Sequence, residues 1–377
     1  MKVELKTLTP LWTGGVERNV DRIHETGLIG SLRWWYEAIL RGLDGWACDP
    51  TKHKCKDEKH CAACELFGAT GWSRKFRLNV EGELPKASSE FREIKISHSQ
   101  DRGWRLGSGA LSNNLTLSIL PMRSGEQRDL NALAFLFSFI AGWGALGART
   151  QVGYGVVHIE NIRRGDQILP ESEIVDTLFI LERIAKEHPG TNGNYSGLPD
   201  IRDFFFARLT LPANFDEDAV WWSRQLSIKR EYQAAKKQGF IPSAPAVRYE
   251  MRGWFRKQCP TSFERVLGSA KHLDDLRHDL MGTTQGGPNT SKGSRLYVSH
   301  LYQTKEGWEF RVWGWVPDLS YYNVKREALM QAIEQELASP RFSKVVFGLD
   351  KSLQLDWHCF DQNGKQSVAD YLRGLVC

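Results

Sequence analysis

The stretch Pro189-Gly-Thr-Asn-Gly-Asn-Tyr-Ser-Gly-Leu-Pro199 constrains the fold of this chain more than any other feature. Proline, glycine and asparagine at that density cannot sustain a helix or a paired strand, so the segment reads as a linker. It divides 377 residues into a first part, 1–190, and a second, 200–377, each of ordinary domain size.

On both sides of the linker, strand-like alternation is mixed with helical periodicity. In the first part, residues 1–9 alternate as a strand ending at Thr9-Pro10. A helix is expected over 30–42, with Ser31 as N-cap and Leu32, Trp35, Tyr36, Ile39 and Leu40 on one face. Strands are expected at 74–80, 91–96 and 115–120. A helix over 129–141, a strand at 156–159 and a helix over 174–187 complete this part. In the second, strands are expected at 204–211, 294–302, 308–315, 344–347 and 353–359, and a helix over 326–337.

The two parts share a motif. Leu66-Phe-Gly, a loop, Ser73-Arg74 and a strand in the first answer Leu280-Met-Gly, a loop, Ser294-Arg295 and a strand in the second. The same order twice points to a duplication. The fold class is α+β, with helices packed on one sheet in each part.

Composition narrows the function classes. Hydrophobic residues make up 41% and charged residues 25%, which excludes long disorder. The most apolar stretch, 132–141, is broken by Ser138 and is about half the length a membrane span requires. The N-terminus alternates like a strand and lacks the apolar run of a signal peptide. A cytoplasmic chain with reduced cysteines and no membrane partner is expected.

Four of the seven cysteines lie between positions 48 and 64, within a polar insertion at 46–64. The spacing is Cys48-x6-Cys55-x5-Cys61-x2-Cys64. A two-residue gap lets Cys61 and Cys64 reach one tetrahedral ion, and Cys48 and Cys55 complete four sulfurs. Structural Zn2+ is the expected cofactor, with His53 or His60 as substitutes for a cysteine. Lys52, Lys54, Lys56 and Lys59 favour the thiolate form. The alternatives are four unliganded thiols and a redox pair, although no thioredoxin-like context surrounds the pair. Four protein ligands leave no open position for catalysis.

Gly144, Gly147, Gly153 and Gly155 punctuate a loop that also carries Arg149 and Tyr154. It follows a helix and leads into a strand, the reverse of a dinucleotide or P-loop motif, so ATP and NAD are rejected. The loop either brings amides to an extended anion or caps a helix and turns. Residues 224–257 hold nine Lys/Arg against Glu231 and Glu250, a net charge of +7, where the whole chain has +5. Arg230, Lys236, Lys237, Arg248 and Arg252 lie there, interleaved with Tyr232, Phe240, Tyr249, Trp254 and Phe255. Cations supply phosphate affinity and rings supply stacking, so this region is expected to bind nucleic acid. Histidines 24, 98, 272 and 300 sit in polar surroundings, but no HExxH or GxSxG motif occurs. No catalytic residue is assigned.

Three stretches carry a family resemblance. Thr9-Pro-Leu-Trp-Thr-Gly-Gly15, Glu25-Thr-Gly-Leu-Ile-Gly-Ser-Leu-Arg-Trp-Trp-Tyr36 and Cys61-Ala-Ala-Cys-Glu-Leu-Phe-Gly-Ala-Thr-Gly-Trp72 resemble the RAMP superfamily of CRISPR proteins. More narrowly they are similar to the subunit-one family of the type III-B (Cmr) effector complex. The glycine-rich loop resembles the RAMP signature, and Gly293-Ser-Arg-Leu and Val346-Phe-Gly348 extend a thinner likeness into the second part.

The resemblance implies two tandem ferredoxin-like (RRM-like) domains. It implies a non-catalytic subunit that holds the 3′ region of a guide RNA (crRNA), meets single-stranded target RNA and contacts other Cmr or RAMP subunits. Arg33, Arg74 and Lys75 in the first part, and Lys292 and Arg295 in the second, are the RNA-binding candidates within the motif stretches. The alternatives are a RAMP endoribonuclease that processes CRISPR transcripts, with His24 and Tyr36 as its residues, and a zinc-stabilised module that binds only protein.

Overall fold

A computed structural model describes residues 1–15, 20–49, 51, 55, 59–82, 86–94, 104–123, 126–190, 197–215, 229–256, 259–283 and 292–376. Linker residues 191–196, the end of the strand expected at 91–96, His53, His98, Arg224 and Lys257 lie outside them.

The first part runs β1 (Lys2–Thr7), α1 (Glu25–Gly42), α2 (Ala62–Phe67) and β2 (Phe76–Gly82). Two short ribbons follow, β3 (Lys86–Ala87) with β6 (Ala110–Leu111), and β4 (Phe91–Ile94) with β5 (Trp104–Leu106). Then come β7 (Leu115–Pro121), α3 (Gln127–Trp143), β8 (Val157–Arg164), β9 (Gln167–Ile168), α4 (Glu171–Asp176) and α5 (Leu178–Glu187). The sheet order is β2-β7-β1-β8-β9, antiparallel throughout. Alternation sorts its faces. Val3, Leu5 and Thr7 are buried, whereas Lys2, Glu4 and Lys6 face outward. Outward charges pair across strands: Lys2 with Glu81 (3.4 Å), Lys6 with Glu160 (2.9 Å) and Arg163 with Glu4 (3.0 Å).

The second part runs β10 (Phe204–Thr210), α6 (Lys229–Lys237), β11 (Phe240–Ile241), α7 (Ala244–Gly253), α8 (Thr261–Leu267) and α9 (Leu273–Met281). It continues with β12 (Leu296–Val298), β13 (Leu301–Gln303), β14 (Trp308–Trp315), α10 (Arg326–Leu337), α11 (Pro340–Phe347), β15 (Gln354–Cys359) and α12 (Val368–Val376). Its sheet order is β11-β13-β14-β10-β15, with β12 also on β14. In both parts the opening strand therefore lies between the third and fourth main strands, with the second beyond the third.

This second sheet is buried on both faces. Phe205, Ala207, Leu209, Phe310 and Val312 pack under α7, α8, α10 and α11 in one core. Phe204, Phe206, Trp313 and Trp315 belong to the other core, with α1 and α3 of the first part. The layers thus run sheet, helices, sheet, helices. The central seam is aromatic: Trp35 lies 5.4 Å from Phe139 and 5.5 Å from Phe204, and Phe139 lies 5.4 Å from Phe206. Such ring pairs contribute about 0.5–1.5 kcal/mol each beyond burial. Arginines of the second part close the seam on α3, where Arg208 reaches Gly142 O at 3.0 Å and Arg311 reaches Gly144 O at 3.2 Å. Helix α12 returns to the first part, with Trp143 Nε1 donating to Leu375 O at 2.6 Å.

Four expectations differ from the fold. The strand expected at 294–302 is two strands, β12 and β13, parted at Ser299 and His300. Residues 344–347 are helical, as the end of α11: Pro340 stands at its start and Ser339 Oγ accepts from Phe342 N–H at 3.0 Å. The helix expected over 174–187 is two helices, because Thr177 Oγ donates to Ile174 O at the break. The 30–42 helix starts at Glu25 and passes through Gly27 and Gly30, since Leu28 and Ile29 are already buried.

The duplicated motif is visible in hydrogen bonds. Lys75 N–H donates to Leu66 O (3.0 Å), and Arg295 N–H donates to Leu280 O (2.9 Å). Gly68 and Gly282 end α2 and α9 at φ 90° and 74°. An arginine from a preceding helix binds each of their carbonyls: Arg33 Nη1 at 2.8 Å and Arg252 Nη1 at 2.9 Å. The equivalence pairs Lys75 with Arg295, one residue away from the Arg74–Arg295 match expected from sequence.

Candidate nucleic-acid groove and metal centre

The four insertion cysteines converge. Their sulfurs lie within 4.8 Å of one another, all four residues are buried, and no disulfide joins them. Cys48 arrives just beyond α1, Cys61 caps α2 and Cys64 lies within it. Cys48 Sγ and Cys64 Sγ are 3.6 Å apart. Metal–sulfur bonds of about 2.3 Å place tetrahedral ligands about 3.8 Å apart, so the group fits one ion. Backbone N–H groups of Cys61 and Cys64 donate to the sulfurs of Cys55 and Cys61, both at 3.4 Å. Hydrogen bonds from the Cys48 and Cys64 side chains push the Cys61 thiol down, while hydrogen bonding to Cys61 and burial push Cys48 up. His60 turns away, its ring 4.6 Å from that of Trp72.

Beside this cluster, Arg33 donates to Glu37 Oε1 (2.8 Å), Gly68 O (2.8 Å) and Cys64 Sγ (3.2 Å). Lys75 Nζ sits between Glu65 (2.5 Å) and Asp129 (2.6 Å). His188, at 2.9 Å, and Lys75 together hold the Glu65 carboxyl down at about 2. Arg74 lies half-buried in the adjoining turn. Of the first part's motif cations, Arg33 and Lys75 are thus engaged with the fold.

The glycines of the signature loop serve packing. A Cβ on Gly153 (φ 113°) would meet the His300 ring at 2.3 Å, and one on Gly147 (φ 79°) would meet Trp12 O at 2.6 Å. A Cβ on Gly144 would strike the Trp35 ring, and one on Gly155 the Leu146 carbonyl. Amides of Leu146, Ala148 and Gly155 donate to Gly155 O, Trp12 O and Pro10 O. Tyr154 is buried, its hydroxyl on Gly107 O. Arg149 remains half-exposed, in the left-handed region at φ 59°, with its guanidinium 4.2 Å from the Trp12 ring centre.

Arg149 lines a hollow of about 490 Å³ together with Ser31, Trp34, Tyr297 and Trp313. Trp34 and Tyr297 also line the next hollow, of about 510 Å³, with Lys292 and Arg295. Arg295 continues into a third, of about 1460 Å³, which carries Lys325 and the exposed Tyr321. The result is one groove along the edge of the aromatic seam. Trp34 approaches Tyr297 at 6.1 Å, Tyr297 stacks on Trp313 at 5.5 Å and 9°, and Arg295 lies 4.5 Å over Trp315. Lys292 pairs with Asp279. Trp34 and Tyr297 were not among the sequence candidates; only the packing of α1 against the second sheet brings them together.

The basic region 224–257 separates by helix. On α6, Arg230 and Lys237 are exposed and Lys236 is half-buried. On α7, Arg248 and Arg252 turn inward. Arg248 donates to Leu296 O (2.8 Å) and Met281 O (3.0 Å), and burial together with neighbouring Arg252 pushes it down to about 10. Tyr232, Phe240, Trp254 and Phe255 are buried in the second core, away from any solvent-facing strand of nucleic acid.

Among the described residues, no helix is long and apolar enough to cross a membrane. A comparison with curated proteins returns no match. Among solved structures, the chain is similar to Cmr1 from Pyrococcus furiosus in its apo form, at 14% identity and a TM-score of 0.42, over 84% of this chain and 88% of that one. It is also similar to a chain of the type III-B Cmr-beta complex bound to cognate target RNA and AMPPnP, at 12% identity and a TM-score of 0.45, over 89% and 98%. A family model described as RAMPs, RAMP superfamily, matches residues 4–158, which contain β1, α1, the cysteine cluster, α3 and the glycine-rich loop. Residues 4–158 of this chain are thus similar to the RAMP superfamily.

Proposed function

We propose that the chain is a non-catalytic, cytoplasmic RNA-binding subunit of a type III-B CRISPR effector complex. It would hold guide RNA and single-stranded target RNA beside other RAMP subunits. The observation that carries this reading is the groove, where Arg149, Trp34, Tyr297, Lys292 and Arg295 alternate cations with rings. Cations bind phosphates and rings accept bases without sequence preference, as single-stranded RNA requires. The first sheet's outward face does not offer the same mode, because its charges neutralise one another. We infer tandem ferredoxin-like domains from the strand path that both parts share. The cysteine cluster is inferred to hold structural Zn2+, since four thiolates suit a closed tetrahedral site.

A gel-shift titration with end-labelled single-stranded RNA at two salt concentrations tests this. Arg149→Glu and Lys292→Glu are expected to weaken binding at least tenfold and to flatten its salt dependence. Unchanged affinity in both variants would remove the groove from consideration. The endoribonuclease reading has one observation on its side, a partly exposed His24 whose Nε2 lies 2.7 Å from Asp21 Oδ1. Its other residue, Tyr36, is buried against Phe67. Discrete RNA fragments that vanish in His24→Ala would favour the nuclease.

A further inference from the structure

Helix α1 carries Arg33, Glu37 and Arg41 four residues apart on one face. Their side chains are 22%, 8% and 2% exposed, and Glu37 bridges the two arginines, to Arg33 Nε at 2.8 Å and Arg41 Nη2 at 3.4 Å. This buried ladder touches both chain segments that deliver the cysteines. Arg41 donates to Ala47 O (3.2 Å) and Cys48 O (3.3 Å) on the incoming segment. Arg33 donates to Cys64 Sγ and Gly68 O on the outgoing one.

We propose that the ladder is the outer shell of the metal centre and that Arg33 is its positioning residue, setting the site's affinity for a divalent ion. The proposal rests on the metal reading above. An N–H···S contact to a neutral thiol is weak, whereas a guanidinium donating to a metal-bound thiolate makes a charge-assisted bond. One divalent ion with four thiolates carries a net charge of −2, and a cation beside the sulfur offsets it where water cannot. Arg33 also fixes the end of α2, so the sulfurs are held near ligand geometry before the ion arrives.

The duplication supplies an internal control. Arg252 grips Gly282 O as Arg33 grips Gly68 O, yet no cysteine cluster lies at that position among the described residues. An effect of Arg33 on metal that Arg252 lacks is therefore more than loss of a loop clamp.

The experiment is competitive titration of the full chain with Zn2+ against a chelating dye, and with Co2+ followed by its thiolate charge-transfer absorption. Arg33→Met is expected to weaken Zn2+ binding by roughly 10–100-fold and to shift the Co2+ band. Arg33→Lys is expected to recover part of the affinity, and Arg252→Met to match the parent within about twofold on the same scale. If Arg33→Met fails to fold, Arg33→Lys alone decides, because parental affinity and spectrum in it overturn the proposal. Parental values in a folded Arg33→Met overturn it too and leave the metal reading standing. A parent chain that takes up neither ion overturns both.

Discussion

His300 sits under the glycine-rich loop, between the rings of Tyr154 (5.6 Å) and Phe240 (5.9 Å), with Ala244 N–H donating to its Nδ1. Burial pushes this imidazole down from 6.5 to about 3, so it is neutral in the folded chain. The unfolded chain binds its proton from pH 6.5 downward. Between pH 6.5 and about 3 the unfolded state holds more protons, and stability falls as the pH falls. Each pH unit in that window costs about 1.4 kcal/mol. His300→Gln is therefore expected to flatten the acid limb of a urea-unfolding series taken from pH 6.5 to 4. The same slope in parent and variant would clear His300 as its source. The glycines of this loop were conspicuous in the sequence. Their reason was not, because the ring that demands Gly153 comes from the other part of the chain.

At the scale of elements, α11 depends on its first turn. Ser339 accepts from the Phe342 amide and Pro340 presets the backbone, which together outweigh the strand preference of Val345 and Val346. Ser339→Ala is expected to cost about 0.5–2 kcal/mol in urea unfolding, with little change in the denaturant slope. A cost near zero would mean that tertiary packing alone holds the helix. Strands such as β1 and β14 were legible because one buried face imposes alternation or a dense apolar run. The cysteine cluster was legible because ligand spacing is local. The Arg33–Glu37–Arg41 ladder was hidden, since charged residues four apart on a helix ordinarily face solvent. Arg248 and Arg252 misled for the same reason: a run of cations does not reveal which ones a fold turns toward carbonyls.

For the whole molecule, the aromatic seam joins what the linker divides in sequence. The core around α1 and α3 draws Phe204, Phe206, Trp313, Trp315 and Leu372 from beyond residue 200. Residues 1–190 expressed alone are expected to bind a hydrophobic dye and to melt without a cooperative transition, while the full chain unfolds in one step. A cooperative melt of the fragment would mean that the first part folds without the seam.

The two equivalent loops have reached different solutions to one problem. The first is pinned by Arg33 beside four cysteines that could hold one metal ion, and the second by Arg248 and Arg252 on carbonyls and the Ser294 hydroxyl. On the metal reading proposed above, one copy depends on what the cell can import and the other does not. In a metal-starved cell the first loop would then keep only its protein contacts while its twin stayed intact, so the molecule would fail from one end, by deprivation rather than by mutation.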